Sequence, residues 1–143
     1  MLDKIKSRIN QGILYIFGKY DEKNSIVVKK ILSDKEFQIF NSMSRYDKIH
    51  SFRLYNFVLK NEILKDDNIY LKLALLHDCG KESPNLLKRM KKVIFGDKKL
   101  EKHSEDGYIK LKNINYKLAI LCKNHHIKSN DLKMQEFQKL DDK

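Results

Sequence analysis

The sequence predicts an all-α, single-domain helical bundle, and three observations carry that prediction. The 143 residues include only one proline and five glycines, too few turn-formers for an architecture of many short strands. Apolar residues recur at three- and four-residue spacing in several stretches, the period of one helix face. Hydrophobic residues make up 41% and charged residues 34%, a globular balance without the apolar depletion of a disordered chain. A chain of this length buries one core, so one site is expected.

The first helix is expected over 2–20, where Leu2, Ile5, Ile9, Ile13 and Ile16 form an apolar stripe. Such a helix either packs on the core or, with lysines flanking the stripe, attaches to a membrane surface. Ser33 followed by Glu36 is a capping-box pattern, and Phe37, Phe40 and Met43 mark one apolar face after it. Asp47 is another start signal, ahead of a helix with Ile49, Phe52, Phe57 and Val58 that carries His50 and Arg53. The run from Ile69 to Cys79, with Leu71, Leu73, Ala74, Leu75 and Leu76, fits a buried strand or a buried helix by period alone. The lack of β-branched residues after Ile69 favours helix, with Gly80 letting the chain turn. Helices over 100–111, 116–124 and 132–140 complete a bundle of about six. No repeat or linker-like tract divides the chain, and residues 1–44 are expected to pack as N-terminal helices on a main unit of 45–143.

Composition narrows the function classes. The longest apolar clusters, 12–18 and 71–76, fall short of the roughly 20 residues that a membrane span needs. The N-terminal stretch lacks the small-residue cleavage site of a secretory signal, and two isolated cysteines, Cys79 and Cys122, make no disulfide framework; a cytoplasmic location is expected. The net charge of +11 and pI near 9.5 favour an anionic partner, a nucleotide, nucleic acid or acidic membrane surface, although a lysine-biased coding composition also contributes. The basic run Lys88, Arg89, Lys91, Lys92, Lys98 and Lys99 is interleaved by one aromatic, Phe95, which argues against a single-strand stacking platform and against nucleic acid. A small anionic molecule is the expected ligand, and a homodimer is left open.

The five histidines, His50, His77, His103, His125 and His126, each fall in or beside an expected helix. Neutral imidazoles and carboxylates ligate Zn, Mn and Fe, and helical bundles gather such ligands from facing helices. His77 and Asp78 are adjacent, so on a helix they point about 100° apart and reach one site only if the helix runs alongside it. The apolar run before them would bury the helix and lock their rotamers. Lys81, four residues after His77, and Arg53, three after His50, are placed to meet a phosphate on those faces; Lys81 equally fits the solvated end of a helix. Cys79 and Cys122 fit small buried residues, Cys122 also being an alternative ligand three residues before His125.

The stretch Leu73-Ala74-Leu75-Leu76-His77-Asp78-Cys79-Gly80-Lys81 resembles the signature of HD-domain phosphohydrolases, and the resemblance spans most of the chain. His50 matches the upstream histidine of that family, His77 and Asp78 the eponymous pair, and Asp141, with Asp142 as the alternative, the late aspartate. His103 resembles the third-histidine motif, and His125 or His126 the fourth. The resemblance implies that His50, His77, Asp78 and Asp141 hold one divalent ion. It implies that His103 with His125 or His126 holds a second, bridged by Asp78, the ions being Fe, Mn or Zn. It implies cleavage of a phosphate ester or anhydride of a nucleotide or related molecule by metal-activated water, with Asp78 catalytic; by their spacing, Lys81 is expected to be catalytic as well and to meet the substrate phosphate with Arg53. The Gly-Tyr-Pro motif of the cyclic di-GMP branch is replaced by Ile127-Lys128-Ser129-Asn130-Asp131. The fifteen-residue interval from His126 to Asp141 is similar to the compact bacterial branch that includes symmetrical dinucleoside tetraphosphate hydrolases. An oxidative di-iron enzyme, or a non-catalytic metal-containing module that binds a nucleotide or protein, are the other readings.

Overall fold

The computed structural model describes residues 2–17, 20–81 and 100–143. Among these it forms eight helices and no strand: α1 (Leu2–Phe17), α2 (Asn24–Ile31), α3 (Asp34–Ser42), α4 (Arg45–Lys60), α5 (Asn68–Leu76), α6 (Leu100–Leu111), α7 (Tyr116–Asn124) and α8 (Leu132–Asp141). None of them is long and apolar enough to cross a membrane. The basic run from Lys88 to Lys99 lies outside the described residues.

Helix α5 occupies the middle, packed by α2, α3, α4 and α7. Its composition dictates this. Tyr70, Leu71, Leu73, Ala74, Leu75 and Leu76 are all buried, and a helix apolar on most sides, with Lys72 as its one charge, has little surface to offer water. The ambiguity between strand and helix in this run is thus resolved as helix, capped by Asp67, whose side chain accepts from the Ile69 amide. The helix ends at Leu76, and residues 77–80 form a turn.

The other elements surround it. Ser33 and Glu36 form the expected capping box: the Ser33 hydroxyl accepts from the Glu36 amide at 3.3 Å and Glu36 accepts from the Ser33 amide at 2.8 Å. Helix α4 starts earlier than Asp47 suggests. Ser44 caps it by accepting from the Asp47 amide, and Asp47 sits buried in the first turn. The inward face of α4 is accordingly Asp47, Ser51, Leu54 and Val58, with Ile49 and Phe57 half-buried. Helix α2 is an addition to the seven stretches expected to be helical and brings the count among the described residues to eight; its Ile26 and Val27 stay exposed and only Val28 is buried, so its amphipathic signal is narrow. Helices α6 and α7 pack as a pair, and α8 lies on α4. Helix α8 is held at its start by Tyr70, whose hydroxyl donates to Asp131 at 3.1 Å, and by Lys133 against Asp67 at 2.6 Å.

Glu36 ties three of these elements together from a buried position, 1% exposed. Its carboxylate accepts from Lys72 on α5 at 2.8 Å and from Asn115, the N-cap of α7, at 2.9 Å. Burial pushes its pKa up, but Lys72, the Ser33 amide and Asn115 outweigh that and hold it below the ordinary 4.5. The resulting stabilisation is complete above that ordinary value and is lost as pH falls below it through the folded value. Glu36→Gln is therefore expected to cost about 1–2 kcal/mol at neutral pH. In urea melts the gap between parent and variant should narrow as pH drops below 4.5; a gap independent of pH would show that the charge contributes nothing.

Candidate metal centre

The turn after α5 delivers His77 and Asp78 into the interior, 0% and 3% exposed. Helix α4 brings His50 beside them, α6 brings His103, the end of α7 brings His125 and His126, and the last residue of α8 is Asp141. All seven residues singled out as ligands in the sequence thus converge. The His77 Nε2 lies 3.2 Å from Asp78 Oδ2 and 3.2 Å from Asp141 Oδ1, and His50 Nε2 lies 3.8 Å and 3.4 Å from the same two oxygens. The other oxygen of Asp78, Oδ1, lies 3.4 Å from His103 Nε2. Asp78 therefore faces two groups at once, His50 with His77 on one side and His103, His125 and His126 on the other.

The hydrogen bonds behind the rings decide what the ring nitrogens facing inward can do. His77 Nδ1 is 2.9 Å from the Ala74 carbonyl, and His125 Nδ1 bonds to the Cys122 carbonyl. A carbonyl only accepts, so each Nδ1 carries the hydrogen and each Nε2 presents a lone pair. Both Nε2 atoms are buried without a hydrogen-bond partner. A lone pair 3.2 Å from two carboxylate oxygens is repulsive unless a proton or a metal cation lies between them. The spacing suits a cation, because two donors each about 2.1 Å from a tetrahedral ion are roughly 3.4 Å apart.

Without an ion a proton takes that place on His77: burial favours the neutral ring, but Asp78 and Asp141 outweigh it and hold its pKa well above the ordinary value, so a metal would displace this proton to reach the Nε2 lone pair. Burial likewise opposes ionised Asp78 and Asp141, yet the imidazoles, with Lys81 beside Asp78, hold both well below the usual carboxylate range. His125 goes the other way: burial, then His77 and His126, lower it to about 3, so it stays a neutral ligand-type imidazole. The His126 Nε2 sits 3.3 Å from that of His103, so both members of the His125 and His126 pair reach the second group. Asp141, not Asp142, faces the histidines; Asp142 is placed near Lys4 of α1.

Other expectations change in detail. Lys81 does not share a helical face with His77, since α5 has ended, yet the turn still sets its Nζ 3.3 Å from Asp78 Oδ2. Arg53, one turn from His50, lies with its guanidinium 5.3 Å over the Phe57 ring, which Lys143 also approaches at 5.6 Å. Cys122 does not point at the cluster, its thiol approaching the His77 carbonyl at 3.4 Å.

Gly80 serves close approach, not only a turn. A β-carbon there would collide with the His103 carbonyl and the Gly107 amide of α6, and one on Gly107 would lie 2.7 Å from the Cys122 sulfur. The two glycines let the Asp78 turn press against the helix that carries His103. Three further residues support the site without a signal in sequence. Tyr46 stacks on His50 with ring centroids 6.0 Å apart and planes at 7°. Lys110 donates to the Cys79 carbonyl at 2.8 Å. Gln138, one turn before Asp141, donates to the His125 and Ile127 carbonyls at 3.1 and 2.8 Å and so links α8 to the paired histidines. None belongs to a motif, because each acts through a backbone carbonyl or a ring face that tertiary packing supplies.

A helical bundle whose buried imidazoles and carboxylates converge from five segments is the class of protein built to hold divalent metal between its helices. The HD domain family model matches residues 48–141, and the chain belongs to the HD domain family, whose members bind divalent metals and are mostly metal-dependent hydrolases. Neither a curated protein nor a solved structure matches the chain.

Two outcomes are expected. Added Mn or Zn should raise the melting temperature, by the equivalent of about 2.7 kcal/mol at a hundredfold excess over Kd, and Asp78→Asn should remove most of that rise. A parent that neither shifts nor retains either ion would break the metal fit. Gly80→Ala should cost roughly 1–3 kcal/mol through overpacking and should lower metal retention more than Glu36→Gln does, because the clash pushes His103 away from Asp78.

Proposed function

We propose that the chain is a phosphohydrolase that uses divalent metal to cleave a phosphate ester or anhydride of a nucleotide or a related small molecule. The observation that carries this is the pair of buried Nε2 atoms of His77 and His125, neither of them in a hydrogen bond, on either side of the Asp78 carboxylate. One ion held by His50, His77, Asp78 and Asp141 and a second held by Asp78, His103, His125 and His126 would polarise phosphoryl oxygens and acidify a water.

The chain's own residues supply the rest. Asp78 bridges the two groups through separate oxygens. Lys81, anchored at Asp78, offers its ammonium to the phosphoryl group being cleaved, where charge builds up in the transition state. Arg53 contributes a fork of donors one turn from His50 for a second phosphate. The buried, apolar surroundings of α5 keep the ligands in one rotamer set, so little reorganisation accompanies the reaction. A net charge of +11 favours approach of a polyanionic substrate, and a nucleotide fits better than a neutral ester.

The test is release of inorganic phosphate or p-nitrophenol from a panel of nucleotides and bis-p-nitrophenyl phosphate by metal-loaded protein. Asp78→Asn is expected to abolish turnover and Lys81→Ala to lower kcat about a hundredfold. Arg53→Ala is expected to raise KM about tenfold with kcat little changed. Metal-loaded protein that binds a nucleotide yet hydrolyses nothing in the panel would sink the hydrolase reading and leave a binding module; oxygen-dependent product without phosphate release would point to di-iron chemistry.

A further inference from the structure

Over the side chains described in its first half, residues 2–9, helix α1 is mounted the opposite way round from a helix that packs by its apolar stripe. At about 100° per residue, Leu2, Ile5 and Ile9 share one side and Lys4 and Ser7 the other. The apolar side is outward: Leu2 is 83%, Ile5 43% and Ile9 45% exposed. The polar side meets the chain's last residues, with Ser7 half-buried. Ser7 donates to the Lys143 carbonyl at 3.0 Å, and Lys4 acts on Asp142. The helix lies against α4 and makes polar contacts with the chain's last residues, while Leu2, Ile5 and Ile9 are left to something else.

The charges beside the stripe select the occupant. Lys6 flanks it on one edge and Arg8 on the other, and Lys6 is exposed. A second copy of this chain would bring these cations, and a net +11, against the same charges, a like-charge arrangement that costs affinity. Nucleic acid would satisfy the cations and leave Leu2, Ile5 and Ile9 in water. A bilayer with anionic headgroups satisfies both, acyl chains taking the aliphatic residues and phosphates the cations, the arrangement of a helix lying in the interfacial plane. We propose that α1 docks the protein on an anionic membrane surface through Leu2, Ile5 and Ile9 with Lys6 and Arg8 at the headgroups.

Docking through that face leaves the Ser7 and Lys4 contacts intact, so the chain end next to Asp141 is carried close to the lipid. The proposal stands apart from the hydrolase reading, since it needs no metal and no turnover.

The experiment is co-sedimentation of the full chain with vesicles of phosphatidylcholine, with and without phosphatidylglycerol. The parent should pellet with phosphatidylglycerol vesicles and not with pure phosphatidylcholine, and should be released in part by raised salt. The double variant Ile5→Asp, Ile9→Asp should bind at least about tenfold more weakly, with its circular dichroism and melting temperature unchanged because both side chains face solvent. Lys6→Glu, which leaves the stripe intact, should weaken binding severalfold and serves if the double variant is misfolded. Binding that ignores lipid charge, or that survives in both variants, would overturn the proposal. So would absence of vesicle binding, and a dimer seen by ultracentrifugation that Ile9→Asp dissociates would then identify a second copy as the occupant.

Discussion

The burial of α5 on most of its sides is the constraint on which the rest of this structure depends. A nine-residue helix with six buried side chains has to be enclosed, and α2, α3, α4 and α7 enclose it. Burial of a full Leu or Tyr is worth about 1.5–3 kcal/mol, so no arrangement that leaves this helix at the surface competes. Its one charged member, Lys72, is answered from α3 by Glu36, which also receives the cap residue of α7. The helix is thus fixed in rotation as well as in position.

Fixing α5 fixes what comes after it. The chain leaves the helix inside the protein, so His77 and Asp78 emerge buried, at the floor of a site whose rim, with Lys81 and His126, stays open to solvent. A buried carboxylate is costly unless paired, and the neighbours of Asp78 are those that can meet that cost: the imidazoles of His77 in its own turn, His50 on α4 and His103 on α6, and the Lys81 ammonium. The same burial aligns each critical ring by a carbonyl behind it, Ala74 for His77 and Cys122 for His125. Folding energy spent on an apolar helix is in this way converted into a preorganised polar cluster.

Much of this was legible from local pattern. The capping box at Ser33, the helices over 100–111 and 116–124 and the buried character of 69–76 follow from spacing and residue type alone, because each is decided within one or two turns of chain. So does the suspicion attached to His50, His77, Asp78, His103, His125, His126 and Asp141, through the order of the motif. Helix α2 was not legible, since Ile26, Val27 and Val28 are β-branched and only one of them is buried. The start of α4 was misplaced because Asp47 imitates a cap, whereas Ser44 caps and Asp47 reinforces it.

Other features had no local signature at all. The reason for Gly80 lies across the fold in the backbone of α6, and Tyr46, Lys110 and Gln138 act on partners that are neighbours only after folding. The outward mounting of the α1 stripe is of the same kind: its period is plain in the sequence, but which side faces the protein depends on Lys143 and Asp142 at the far end of the chain. The sequence by itself determined the helical class, the family and the order of the histidines and aspartates, because periodicity and motif order are properties of neighbouring residues. Only the tertiary structure decided that both paired histidines face Asp78, that Asp141 and not Asp142 joins them, and that α1 turns Leu2, Ile5 and Ile9 outward. Those outcomes depend on burial and on distances between residues as many as 136 positions apart, which no local pattern encodes.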